Sequence, residues 1–178
     1  MLDKLKLIEK RELRELLLNS NNWNTLDVDY TPPRVERLWM QYDDEHRLLI
    51  HKIHPCTKEE ALFHPHPWKS AVHVLPIGGA YGHTVGTIIH PNVENQIYCE
   101  MEVHGEMYYE MLNMESCHSV RPIGFPVYTI MLIGQPIWKE HVKTVERVTD
   151  AKPIGLKELT NKAKGELLEV VFHHFQFR

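Results

Sequence analysis

Two histidines stand two residues apart in the stretch His64-Pro65-His66-Pro67-Trp68. In an extended segment alternate side chains point to the same face, so both imidazoles can converge on one point. The prolines that follow them fix φ, withhold a backbone donor and bias the preceding residue towards extended geometry. Two neutral imidazoles on a stiff backbone are half of a transition-metal site. The plainer alternative is a polar loop carrying two solvated histidines. A metal site needs at least one more ligand from elsewhere in the chain.

The elements that must position such a site are short and mostly extended. From Arg34 onward the pattern is β-rich: 35–42 and 47–53 flank Asp43-Asp44-Glu45-His46 as a hairpin with a longer loop. Further runs follow at 70–75, 80–89, 96–103, 106–112 and 127–133. They are punctuated by Pro76-Ile77-Gly78-Gly79, Pro91-Asn92, Gly105 and Pro122-Ile123-Gly124-Phe125-Pro126. Many short strands with turn signals between them predict an antiparallel sandwich or barrel. Both ends read as helix. In 2–18, Leu2, Leu5, Ile8, Leu13, Leu16 and Leu17 fall near one face, and Asn19-Ser20-Asn21-Asn22 ends the run. From Gly155, apolar residues recur at helical spacing through Leu159, Leu167 and Val171, with Gly165 a point at which the helix could break.

Bulk properties narrow the function classes. A chain of 178 residues suits one domain with a real core, and 43% hydrophobic with 25% charged residues is ordinary for a soluble globular protein. A net charge of −4 without a Lys/Arg run argues against nucleic acid as the main partner. The first twenty residues mix acids and bases, unlike a signal peptide or membrane span, and no other stretch is apolar enough to cross a bilayer. Cys56, Cys99 and Cys117 lack CxxC spacing and leave one over if two pair, which fits a reducing cytoplasm. The 13 histidines are scattered rather than gathered in a tail.

The residues 60–138 resemble a cupin, a small jelly-roll barrel that binds a metal inside its mouth. The first cupin motif runs His-x-His, three or four residues, Glu, six residues and Gly. Here His64 and His66 are followed by four residues, Ala71, six residues and Gly78, so Ala71 stands where the Glu ligand would be. The resemblance is closer to a subgroup carrying His-Pro-His-Pro-Trp, here 64–68, with Ser70-Ala71, Val74-Leu75, Tyr109-Glu110-Met111, Arg121-Pro122 and the segment from Gly134 to Trp138. It implies one cupin domain over 1–178: an N-terminal helix in 1–20, a β-barrel in 34–140 and a C-terminal helical segment in 155–178.

The second cupin motif supplies one further histidine, a role that His118 fits. The implied metal ligands are thus His64, His66 and His118. Three neutral histidines suit Fe(II), the first expectation, or Ni(II), Zn(II), Cu(II) or Mn(II), and leave positions open for water, substrate or O₂. Without the Glu the site keeps a full +2 charge, which favours an anionic or chelating small molecule. Three-His cupins include dioxygenases, so the resemblance implies Fe(II)-dependent oxygen insertion.

Other residues are candidates for supporting roles. His73 lies two residues beyond Ala71 and in a regular strand shares its side, as a fourth ligand, a pocket acid/base or a satisfied core histidine; a bulge there would void the comparison. Arg121 could clamp a substrate carboxylate, although three residues from His118 it should face the other way; a structural salt bridge is the alternative. Glu110 could orient a ligand histidine or be a surface carboxylate. Trp68 is expected to pack at the rim, Tyr81, Tyr109 and Tyr128 to pack within the barrel, and Cys117 to act as a small buried hydrophobe. His51, His54, His173 and His174 do not converge by spacing. Beside the oxygenase stand a metal-dependent isomerase, lyase or hydrolase, and a non-catalytic binding cupin. The expected setting is cytoplasmic, with a small-molecule partner, no nucleic acid, no membrane and a possible homodimer.

Overall fold

The computed structural model describes residues 1–87, 96–113, 116–135 and 157–176. The turn expected at Pro91-Asn92, the end of the run at 88–89 and residues 136–138 lie outside them.

The N-terminal leucine pattern folds as two helices, α1 (Leu2–Arg11) and α2 (Leu13–Leu18), broken at Glu12, whose φ of −125° leaves the helical range. Strands follow as β1 (Asn24–Val28), β2 (Val35–Gln41), β3 (Arg47–Ile53), β4 (His64–Pro65), β5 (Ser70–Thr87), β6 (Gln96–Val103), β7 (Met107–Met111) and β8 (Cys117–Ile133). The helix α3 (Asn161–Gln176) closes the described chain and runs through Gly165 without a break. No described helix is long and apolar enough to cross a membrane.

All pairings among these strands are antiparallel, in the order β1-β2-β3-β8-β5-β6, with β4 added to β8 and β7 to β5. The mainly β architecture with terminal helices is the one that the sequence implies. The sheet is not closed: β1 and β6 end it among the described residues. Its two halves are joined instead by the two long strands β5 and β8, which run through both.

Those strands carry the feature that decides where every site residue points. Residues 70–74 of β5 pair with 129–133 of β8, residues 80–86 pair with 117–123, and the register shifts on both sides of Gly78. In the first half, Val72 and Val74 face inward with Leu49, Val127 and Met131, while Ala71 and Leu75 face the helices with Ile130 and Leu132. Past the irregularity it is Tyr81 that joins the inner cluster. The strand has therefore exchanged its faces: even residues point inward before the bend and odd residues after it. Gly78 (φ +98°) and Gly124 (φ +81°) sit at the bend, and a Cβ on Gly78 would overlap the Pro126 carbonyl. Leu5, Ile8, Leu13, Leu167 and Val171 cover the outer face of the first half.

Candidate metal centre

The bend brings four histidines to one end of the inner face. His64 lies directly opposite His118 in the β4–β8 register, and the His66 N–H donates to the Ser116 carbonyl at 2.9 Å, which fixes the chain just past β4. The His66 and His118 rings meet edge to face with centroids 4.9 Å apart. His83, from the second half of β5, completes the group: its Nε2 lies 3.0 Å from His118 Nδ1, so one ring donates and the other accepts. His66 and His83 are 1% and 2% exposed, so both sit inside rather than on the rim.

Burial controls their charge. Loss of solvent pushes His66 down to about 4 and His83 down to about 4, the latter helped by the neighbouring His66. Burial first, then the other three histidines, hold His118 well below the usual imidazole range, and burial also lowers His64. All four are thus neutral near pH 7, the form in which imidazole binds metals. Two of their nitrogens, His66 Nδ1 and His83 Nδ1, are buried with no hydrogen-bond partner. An orphaned buried acceptor or donor costs about 1–3 kcal/mol, a cost that a metal at these atoms removes. Among the described residues no three ligand-type side chains already stand in ligating geometry; the His83–His118 hydrogen bond holds two of the rings to each other instead. The donor set nevertheless fits a borderline transition metal.

The surroundings are aromatic and hydroxylic. Ser70 Oγ lies 3.3 Å from His66 Nε2 and can orient that ring through the nitrogen opposite the orphaned one. Trp68 packs beside His66 with centroids 5.2 Å apart, as expected of a rim residue. The Tyr81 and Tyr109 phenols share a 2.6 Å hydrogen bond across the bend, and the Tyr109 ring lies 4.8 Å from His83. Burial raises both phenols above the usual range, so both stay protonated.

The three residues expected to support the site are set apart from it. His73 does share a side with Ala71, but that side faces the helices: its Nδ1 lies 2.7 Å from Glu9, its Nε2 2.9 Å from Glu106, and its ring stacks on Tyr108. Ala71, fully buried, packs in the same outer core. Glu110 likewise faces outward and holds the chain start, with the Met1 ammonium at 3.0 Å and the Leu2 N–H at 2.6 Å. Arg121 stands opposite Gly82, on the face away from His118; Glu59 is lowered first by a backbone hydrogen bond and Glu100 by Lys58, with Arg121 a small further contribution to each. Strand parity with one bend accounts for all three placements. Cys117 is 5% exposed, and Tyr128 packs on the outer core rather than inside the fold.

His83 is the site residue that the sequence reading missed. A signal was present: a Pro-Ile-Gly-Gly interruption inside a β-rich run marks a bulge, and one added residue turns His83 inward.

No family model matches the chain, and none of the curated proteins matches it. Among solved structures it is similar to the Fe(II) form of HppE, with a TM-score of 0.50 and 14% identity over 64% of this chain and 57% of that one. The complex of hydroxypropylphosphonic acid epoxidase from S. wedmorenis with fosfomycin gives 0.49 and 11%, over 65% and 57%. KdgF from Halomonas sp. gives 0.42 and 13%, over 65% and 90%. The chain spans little more than half the length of the first two. At such identities the likeness is one of fold, and the fold is the antiparallel β architecture of the cupins.

Proposed function

We propose that the chain is a metal-dependent cupin in which His64, His66 and His118, joined by His83, hold one divalent first-row transition metal. The observation that carries this reading is the meeting of buried, neutral imidazoles with two orphaned ring nitrogens. An all-imidazole set suits iron, nickel, copper or zinc, and the Fe(II) in the similar HppE structure favours iron. The metal would supply Lewis acidity and, if iron, redox capacity towards a polar or anionic small molecule. The protein's own part is to keep the rings neutral, to orient His66 through Ser70 and to offer the Tyr81–Tyr109 phenol pair as a proton donor beside His83.

An Fe(II)-dependent oxygenase is the first assignment, and an isomerase, lyase or hydrolase using the metal as a Lewis acid is the second; uptake of O₂ during turnover separates them. Protein loaded anaerobically with Fe(II) and desalted should retain about one metal per chain, as one His-rich site would. Alanine at His66 or His118 should abolish retention. Wild-type protein that retains no first-row metal after such loading overturns the proposal.

A further inference from the structure

The inner face carries a cation that the metal site does not use. Arg37, on β2, lies between Val35 and Trp39, both of which pack against the inner cluster. Across the sheet it aligns with His51 and then Thr129, in a polar row flanked by Leu49, Ile53, Val127 and Met131. Arg37 Nε donates to His51 Nε2 at 3.0 Å. That nitrogen is therefore the acceptor, so His51 carries its proton on Nδ1 and donates it to Thr129 Oγ1 at 3.2 Å. The relay fixes the plane of the guanidinium and occupies one of its edges. Nη1 and Nη2 remain.

The neighbouring cations differ. Arg34 binds Asp27 at 2.9 Å, and Lys52 and His54 converge on Glu36, which belongs to the opposite face of β2. Among the described residues His51 is the one side-chain partner of Arg37, and no carboxylate lies within ion-pair distance of it. Burial, the largest influence, destabilises its charge, the neighbouring Tyr30 phenol acts in the opposite sense, and Arg47 adds to the destabilisation. A guanidinium does not give up its proton in a protein. A half-buried, oriented cation with no carboxylate beside it among the described residues is costly unless an anion arrives.

We propose that Arg37 is an oxyanion-binding residue: Nη1 and Nη2 grip the carboxylate or phospho group of a small molecule held on the inner face. The inference rests on the reading of that face as the ligand cavity of a metal-dependent cupin. A divalent metal on uncharged imidazoles and one arginine on the same face both call for negative charge in the ligand. The His51–Thr129 relay holds the fork in place before the ligand arrives, which lowers the ordering cost of binding.

The test uses ¹⁵N-labelled, metal-loaded full chain titrated with sodium acetate, inorganic phosphate and, as the neutral match of acetate, acetamide, at ionic strength fixed with chloride. The Arg37 Nε–H signal, slowed by its bond to His51, reports directly. Saturable movement of that signal with acetate or phosphate and none with acetamide is expected; which anion binds more tightly tells carboxylate from phospho ligands. Arg37→Gln should weaken the better anion at least tenfold, Arg37→Lys should recover part of it, and metal content should be unchanged in both. An Arg37 signal that neither anion moves in the wild-type protein overturns the inference, as does equal affinity in a folded Arg37→Gln protein. Metal content measured on the same samples reports separately on the metal site, so loss of one reading is not mistaken for loss of the other.

Discussion

Replacing His73 by alanine separates its structural role from a ligand role. Its side chain is fully buried, Glu9 beside it is 4% exposed, and Glu106 is 33% exposed. Both ring nitrogens lie at hydrogen-bond distance from carboxyl groups, so the ring bridges Glu9 and Glu106. Removing it leaves Glu9 inside the helix–sheet interface with, among the described residues, the Tyr108 hydroxyl at 2.7 Å, whereas Glu106 can turn to water. Breaking such a buried pair from one side costs about 3–5 kcal/mol. For a chain of this size each kcal/mol lowers Tm by about 2–4 °C, so the expected drop is roughly 6–20 °C. Urea unfolding of His73→Ala should show that loss, while metal content stays at the wild-type value. The double variant Glu9→Leu with His73→Leu should recover most of the stability, because an apolar pair of similar volume is close to neutral there. Unchanged stability together with lost metal would place His73 in the metal site and refute the reasoning.

Three further outcomes follow from the geometry. His83→Ala should lower metal affinity about 10-fold or more while sparing the fold, checked by competition with a chelator; wild-type affinity would remove His83 from the centre. Gly78→Ala must adopt a φ of +98° and push against the Pro126 carbonyl, so unfolding should show a loss above the ~1–2 kcal/mol of the backbone conformation alone; a neutral result would deny that the bend is tight. His51 is held well below its ordinary value by burial, then by Arg37. The unfolded chain therefore binds a proton below about pH 6.5 that the native chain refuses, and stability falls with acid by up to ~1.4 kcal/mol per pH unit. Above that pH the contribution is flat. The difference between the pH–stability curves of wild type and His51→Gln should show that slope, and parallel curves would contradict it.

Much of this fold is legible in the sequence where hydrophobic period and chain direction stay constant. The strand at 47–53 follows directly from its apolar spacing, and so does the helical character of both ends, although the N-terminal run breaks at Glu12. The first half of β8 does not, because Pro122, Gly124 and Pro126 look like a turn yet lie within a long strand that bends through them. The same holds for Pro76 to Gly79 in β5, which divides an 18-residue strand into two apparent ones. Period-two reasoning places His73 correctly beside Ala71, but the motif alignment of Ala71 with a ligand position puts both on the wrong side of the sheet. It also leaves His83 without a role. His64, His66 and His118 come together because β4 pairs with β8 in the register that sets His64 opposite His118; from the sequence, His118 is reached through the motif resemblance. Arg37 was invisible for another reason: its lack of an acidic partner among the described residues is a property of packing, and no spacing rule reports it.

The most direct measurement is anomalous diffraction from crystals of the Fe(II)-loaded protein, recorded above and below the iron edge. One strong peak among His64, His66, His83 and His118, bonded to at least three of their nitrogens at about 2.0–2.2 Å, is the expected result. Absence of any peak there, or a peak held by other side chains, would contradict the assignment of this cluster as the metal centre.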